Sequence, residues 1–297
     1  MMNRLQTMLR KNTVVLRDVD DRVVTAEKNK VNLNGWFLPG RDVQNIGDWL
    51  SKIVVDHVAA RCGIDPEKKV SRTKHLYAIG SILLGFQDAT IWGSGFLNDS
   101  THSRSFAPYA FLHRHWHTTD VRAVRGPETR RILLKMGIEC PEVYGDPAIL
   151  MPLFYTPRQL PHIPYALIPH FVDVKKYAGD PCMLHTFNGD YRLFIDRVCS
   201  AGIVYSASLH GIILAESYGI PAILLNAKGE CPFKYRDYYH STGRFEIPVA
   251  RSLEEAMTMT PLPVPDLTKM QEALLRAFPV DLWEGTESCA KTRTSQL

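Results

Sequence analysis

The chain has 297 residues, room for two α/β cores, with 45% hydrophobic and 22% charged residues, a composition that excludes wholesale disorder. A formal net charge of +4 without a concentrated basic stripe argues against a nucleic-acid binder and fits, weakly, anionic substrates. Six scattered cysteines form no CxxC pair and no zinc-ligand spacing, so they read as reduced thiols of a cytoplasmic protein.

The opening MMNRLQTMLRKN is basic but has no apolar core of a secretory signal. No apolar run approaches the about 18 residues of a membrane span, so any membrane contact is expected to be peripheral. Asp48 opens a helix with Leu50, Ile53, Val54 and Val58 on one face, stopped at Gly63. Short apolar runs then predict strands at 76–82, 90–96, 121–126 and 142–146. Pro127 starts a helix that Gly137 closes.

The segment 151–164 carries four prolines and no helical period, and reads as a linker between two halves. The boundaries that follow are 1–155 and 156–297. Beyond the linker, strands are expected at 165–170, 202–208 and 222–226, with helices over 194–199 and around 215–218. A proline-rich stretch from about 262 leads into a last amphipathic helix, and TESCAKTRTSQL reads as frayed. Strands alternating with helices imply an α/β chain with parallel sheets, built as two Rossmann-like domains facing a cleft. In such sheets ligands sit beyond the carboxyl ends of strands, at helix N-termini.

Those ends hold the polar residues of interest. Asn45-Ile-Gly47-Asp48 precedes the first helix. Gly47 permits close approach, and Asp48 is either an N-cap or a base facing the cleft. Small residues end two consecutive strands, at Gly80-Ser81 and at Gly93-Ser94-Gly95, as a ligand-lined floor would. Arg125 ends a strand just before a helix, where its fork suits a carboxylate or phosphate. Asp146 reads as structural, holding the turn before Pro147.

His170 and His210 end strands of the second half and are expected to face the cleft, where an imidazole can donate to an anion or move a proton. Lys234 lies in an aromatic, basic loop, FKYRDYY, suited to a phosphate or a sugar. His113, His115 and His117 alternate as strand neighbours would, but no carboxylate or cysteine joins them at metal-ligand spacing, so a polar groove is the preferred reading.

Taken in order, Asn45-x-Gly-Asp48, GSI, WGSGF, VRGPET, YGDPAIL, IPH, SLHGIILAESYGIPA and KYRDYY resemble the polysaccharide pyruvyl transferase family, from about residue 45 to about 240. The resemblance implies an architecture similar to two-domain glycosyltransferases of the B type. It also implies transfer of pyruvate from phosphoenolpyruvate to a sugar as a cyclic ketal, with release of phosphate, in capsule, exopolysaccharide or cell-wall synthesis. The first domain would take the acceptor and the second the donor.

Carried over residue by residue, Arg125 corresponds to the donor-site arginine and Leu209-His210 to the family's Leu-His pair. Ser208 stands where members often have arginine, and His170, Lys234 or Arg244 is the expected substitute. His210 is the expected general acid and base, with Asp48 as its partner in catalysis. Ser208, Leu209 and Gly211 join Arg125, His170 and Lys234 at the donor. Asn45, Gly47, Ser94, His115 and His117 are expected at the acceptor. No metal or cofactor is required beyond phosphoenolpyruvate as donor substrate. The acceptor is expected to be lipid-linked, met at the inner face of the cytoplasmic membrane. Two rivals stand beside this reading. One is a nucleotide-sugar glycosyltransferase in which Glu216 grips a ribose; the other is a non-catalytic saccharide-binding protein.

Overall fold

Strands buried on both faces read as continuous apolar runs, and the second half of the chain carries them. The computed structural model describes residues 16–17, 23–24, 27–35, 44–83, 88–99, 101, 103, 106–108, 110–111, 117–170, 173–226 and 232–283. The first four of those residues form a short antiparallel pair, β1 (Leu16–Arg17) with β2 (Val23–Val24). A four-stranded sheet follows in the order β3 (Val31–Asn34), β5 (Lys74–Tyr77), β6 (Ala89–Trp92), β7 (Thr119–Ala123), with every pairing parallel. A parallel bridge from Val124 to Tyr144 prolongs its edge. The second sheet runs β8 (Ala166–Ile168), β10 (Val204–Ser206), β11 (Ala222–Leu225), β12 (Val249–Ala250), again wholly parallel. All residues of β8, β10 and β11 are buried.

Two further short strands, β4 (Gln44–Asn45) and β9 (Phe187–Asn188), pair antiparallel and join the halves directly. Among the described residues the helices include α1 (Ile46–Arg61), α2 (Pro127–Lys135), α3 (Tyr191–Cys199), α4 (Leu209–Ser217), α5 (Phe233–Ser241), α6 (Leu253–Thr258) and α7 (Thr268–Arg276). A 3-10 helix, Pro147–Leu153, occupies the start of the proline-rich segment, so that segment is in part a buried structural element.

The architecture is mixed α/β with parallel sheets, as the alternating pattern predicts. The aromatic segment expected as a loop is instead helix α5, which buries Phe233, Tyr235, Tyr238 and Tyr239. The last helix, grouped by sequence with the second half, reaches the first: Trp92 Nε1 donates to the Leu274 carbonyl at 2.9 Å. One apolar cluster draws on both sheets, with Leu76, Trp92 and Ala123 from the first and Ala166, Ile168 and Val204 from the second, around Ala148–Met151. Among the described residues no helix is long and apolar enough to cross a membrane.

Candidate active site

Two helix N-termini meet beside His210. Asn45 caps α1, its Oδ1 accepting the Gly47 N–H at 3.0 Å. Asp48, a half-buried residue, is therefore not the cap but lies in the first turn, where a carboxylate complements the helix dipole. The Ile46 N–H donates to the Thr186 carbonyl at 2.8 Å, which pins this helix start to the second half. The second N-terminus is that of α4. Ser206 shapes its entry, accepting the Ser208 N–H at 3.0 Å and donating to the Ser208 carbonyl at 2.8 Å. Tyr235 of α5 holds the same loop by donating to the Ala207 carbonyl at 2.8 Å. His210 sits in the first turn of α4 with 17% of its side chain exposed. A Cβ on Gly47 would overlap the imidazole at Nδ1 and Cε1, so only glycine lets the helix and the ring pack at this distance.

Asp146 completes the cluster. It is fully buried and caps the 3-10 helix through Oδ1, which accepts the Ala148 N–H at 3.0 Å. Its Oδ2 lies 3.6 Å from His210 Nε2. Both atoms are buried without a hydrogen-bond partner among the described residues. A buried polar atom left in that state costs about 1–3 kcal/mol; among the described residues the one other such side-chain atom is Arg236 Nε, so Asp146 and His210 are the pair in which two such atoms face each other.

The structure brings Asn45, Gly47, Asp48, Ser208 and His210 to one place. His170 follows β8 and lies at the same carboxyl edge, since β8 and β10 are paired in register through Ile168 and Ser206. Lys234 starts α5, its ammonium 4.9 Å from the Tyr235 ring centroid. Leu209 is buried in the core, and Gly211 lets α4 close onto β10, where a Cβ would meet Ser206 Oγ. Both are therefore packing residues of α4. Ser94 is fully buried and donates to the Gly80 carbonyl at 2.8 Å, away from solvent. His117 precedes β7, at the opposite edge of the sheet from the helix starts. His113 and His115 lie outside the described residues.

Arg125, expected at the donor, is 1% exposed and all three of its guanidinium nitrogens are engaged within the fold. Nε donates to Asp237 Oδ2 at 3.0 Å, one terminal nitrogen to Ser81 Oγ at 2.8 Å, and the other to the Phe96 carbonyl at 2.6 Å. Asp237 also accepts from Thr129, at Oδ2 from the hydroxyl and at Oδ1 from the backbone N–H. A buried cation binds its counter-ion first, and here the fold supplies one, so Arg125 latches α2 to α5.

Arg244, one expected substitute at Ser208, is likewise committed. It makes a bidentate pair with Glu216 at 2.6 and 2.7 Å. Tyr238 donates to the same carboxylate at 2.7 Å, and burial together with that charge pushes its hydroxyl well above the usual phenol range. Glu216 is 3% exposed with both oxygens taken, which leaves it nothing for a ribose.

Sequence reasoning missed two of these partners. From sequence Asp146 reads as a turn residue, and the Asp-Pro pair does signal a helix start. Nothing local signalled its second oxygen facing His210. Asp237 lies 112 residues from Arg125, and an acidic residue among aromatics carries no mark of a buried partner.

The chain is 27% identical over 201 residues to an uncharacterized protein of Acanthamoeba polyphaga mimivirus, covering 62% of this chain and 65% of that relative. A functionally uncharacterized Klebsiella pneumoniae protein of known crystal structure aligns over 85% of this chain and 99% of its own, at 11% identity and a TM-score of 0.47. The sequence profile of the family described as Polysaccharide pyruvyl transferase matches residues 33–228, a span that takes in α1, Asp146 and the start of α4, and the chain belongs to that family.

Proposed function

We propose that the protein transfers pyruvate from phosphoenolpyruvate to a sugar of a polysaccharide or its lipid-linked precursor, as a cyclic ketal, with release of phosphate. The observation that carries this reading is His210 in the first turn of α4, packed against the capped start of α1. Two helices of 16 and 9 residues turn their positive dipole ends toward a substrate with a carboxylate and a phosphate. The imidazole between them has a ring nitrogen that can give or take a proton.

In this reaction a proton adds to the methylene carbon of phosphoenolpyruvate, and the developing cation at C2 is attacked by one sugar hydroxyl. The C2–O bond to phosphate then breaks and a second hydroxyl closes the ketal. Of the two hydroxyl protons, one balances the new methyl group and the other leaves with phosphate. His210 delivers the first proton and takes up one from an attacking hydroxyl, with Asp48 as the second acceptor. Ser208, His170 and Lys234 are the donor-side contacts, and Asn45 and Gly47 face the acceptor. Arg125 serves by holding α2 against α5 rather than by touching the donor. The two parallel sheets suit a glycosyltransferase-B-like layout, acceptor on the first and donor on the second, at the cytoplasmic membrane face.

The test is phosphate release from phosphoenolpyruvate with galactose-, mannose- and glucosamine-type acceptors, with the product identified by mass. Acceptor-dependent release that falls about 100- to 10,000-fold in His210→Ala supports the proposal. Near-normal turnover by a folded His210→Ala protein, or release that no acceptor stimulates, overturns it.

A further inference from the structure

We propose that Asp146 is a positioning residue for His210: its Oδ2 holds the imidazole in the tautomer protonated at Nε2 and leaves Nδ1, on the Gly47 side of the ring, to exchange a proton with substrate. The inference rests on the proposed function for its catalytic consequence, but not for its geometry.

The division of labour at Asp146 carries the argument. Oδ1 is committed to the Ala148 N–H, so the carboxylate cannot rotate away without uncapping the 3-10 helix. Gly145, at φ 140°, and the Gly145 N–H to Val124 carbonyl bond fix the turn that aims it. Oδ2 is thereby directed at His210 Nε2, 3.6 Å away, with neither atom bonded elsewhere among the described residues. At that distance the contact is longer than a hydrogen bond. Catalytic hydrogen bonds are often long before substrate binds and tighten afterwards. The group on one ring nitrogen decides where an imidazole carries its proton, and an unprotonated carboxylate oxygen only accepts.

Asp146→Asn isolates this role. Its side-chain oxygen still caps Ala148, while an NH2 group replaces Oδ2 and can only donate to Nε2. The ring must then move its proton to Nδ1, the nitrogen needed free. The experiment labels the full-length protein with 15N-histidine and reads the neutral-ring tautomer of His210 from two-bond proton–nitrogen correlations at about pH 9. His210→Gln assigns the signal. The wild type is expected to carry the proton on Nε2 and Asp146→Asn to carry it on Nδ1. Phosphate release is expected to fall about 100- to 10,000-fold in kcat, with KM for phosphoenolpyruvate nearly unchanged.

A purely structural Asp146 would change the melting temperature without changing the tautomer. A wild-type ring protonated at Nδ1 overturns the inference even if the variant fails to fold, as does a folded Asp146→Asn that keeps Nε2–H or turns over normally. Because the tautomer needs no substrate, a tautomer switch without acceptor-dependent release would sink the proposed function and leave the Asp146–His210 pairing standing.

Discussion

At the scale of single residues, Gly47 shows what the site demands of the chain. Glycine near a helix start is normally unfavourable by about 1 kcal/mol relative to alanine. Alanine would therefore raise the stability of an isolated α1. Here the added methyl collides with the His210 ring, whose first-turn position in α4 is fixed by Ser206 and Tyr235. The ring can give way more easily than two packed helices, so Gly47→Ala should displace the imidazole while preserving the fold. We expect the melting temperature to move by only a few degrees and phosphate release to fall about 100-fold or more. Calorimetry and the phosphate assay on one preparation decide the matter. Normal turnover in the variant would mean that the close approach of Gly47 to His210 has no part in catalysis.

At the scale of elements, Asp196 of α3 decides how the proline-rich segment attaches. Its Oδ1 accepts from the Tyr155 hydroxyl at 2.6 Å and the Arg158 N–H at 2.8 Å, and its Oδ2 from Arg158 Nε at 2.7 Å. Burial alone would raise this carboxyl, but the Tyr155 and Arg158 bonds outweigh it and hold it below the usual carboxylate range. A depressed folded pKa adds stability that is fully present above the unfolded value of about 4, and that is lost as pH falls through the folded value. Asp196→Asn should thus be less stable than wild type at neutral pH and show a shallower loss below about pH 4, measured by urea unfolding across that range. Parallel slopes for the two proteins would remove Asp196 from the acid response.

The elements themselves were largely legible in the sequence. Strands such as β10 and β11 are buried throughout, and a strand covered on both faces is largely apolar, with the buried Ser206 that ends β10 bonded to the Ser208 backbone. Helix α5 was not legible because lysine and arginine alternate with rings, and its apolar face appears only once Phe233, Tyr235, Tyr238 and Tyr239 are seen against the core. The strands β4, β9 and β12, of two residues each, are too short to leave a pattern. His210, Gly47 and Asn45 could be found because strand ends and helix starts are marked locally. The pairing of His210 with Asp146, and of Arg125 with Asp237, exists only in the folded chain.

At the scale of the whole molecule, the two sheets share one interior. The apolar cluster runs through both, and polar ties cross it: Arg125 to Asp237, Trp92 to the Leu274 carbonyl, and Gln271 to the Ile149 carbonyl at 2.8 Å. Opening either half alone would expose the shared surface and strand Arg125 without its counter-ion, so the halves should unfold together. The chain offers a probe weighted to each. All five tryptophans lie before residue 120 or at Trp283, which stacks on Phe278 beside Trp92, so fluorescence reports chiefly the first half, together with the face of α3 where Tyr191 meets Trp49. Cys199 of α3 reports the second: burial pushes its thiol up to about 12, which keeps it protonated and slow to alkylate until α3 opens. Tryptophan fluorescence and alkylation of the Cys199 peptide, followed through a urea titration, should give one midpoint. Asp237→Ala should lower both midpoints together, by a destabilisation of about 3–5 kcal/mol, the usual cost of leaving one member of a buried pair alone. Two separated midpoints in the wild type, or a shift confined to one probe in Asp237→Ala, would mean that the shared interior does not couple the halves.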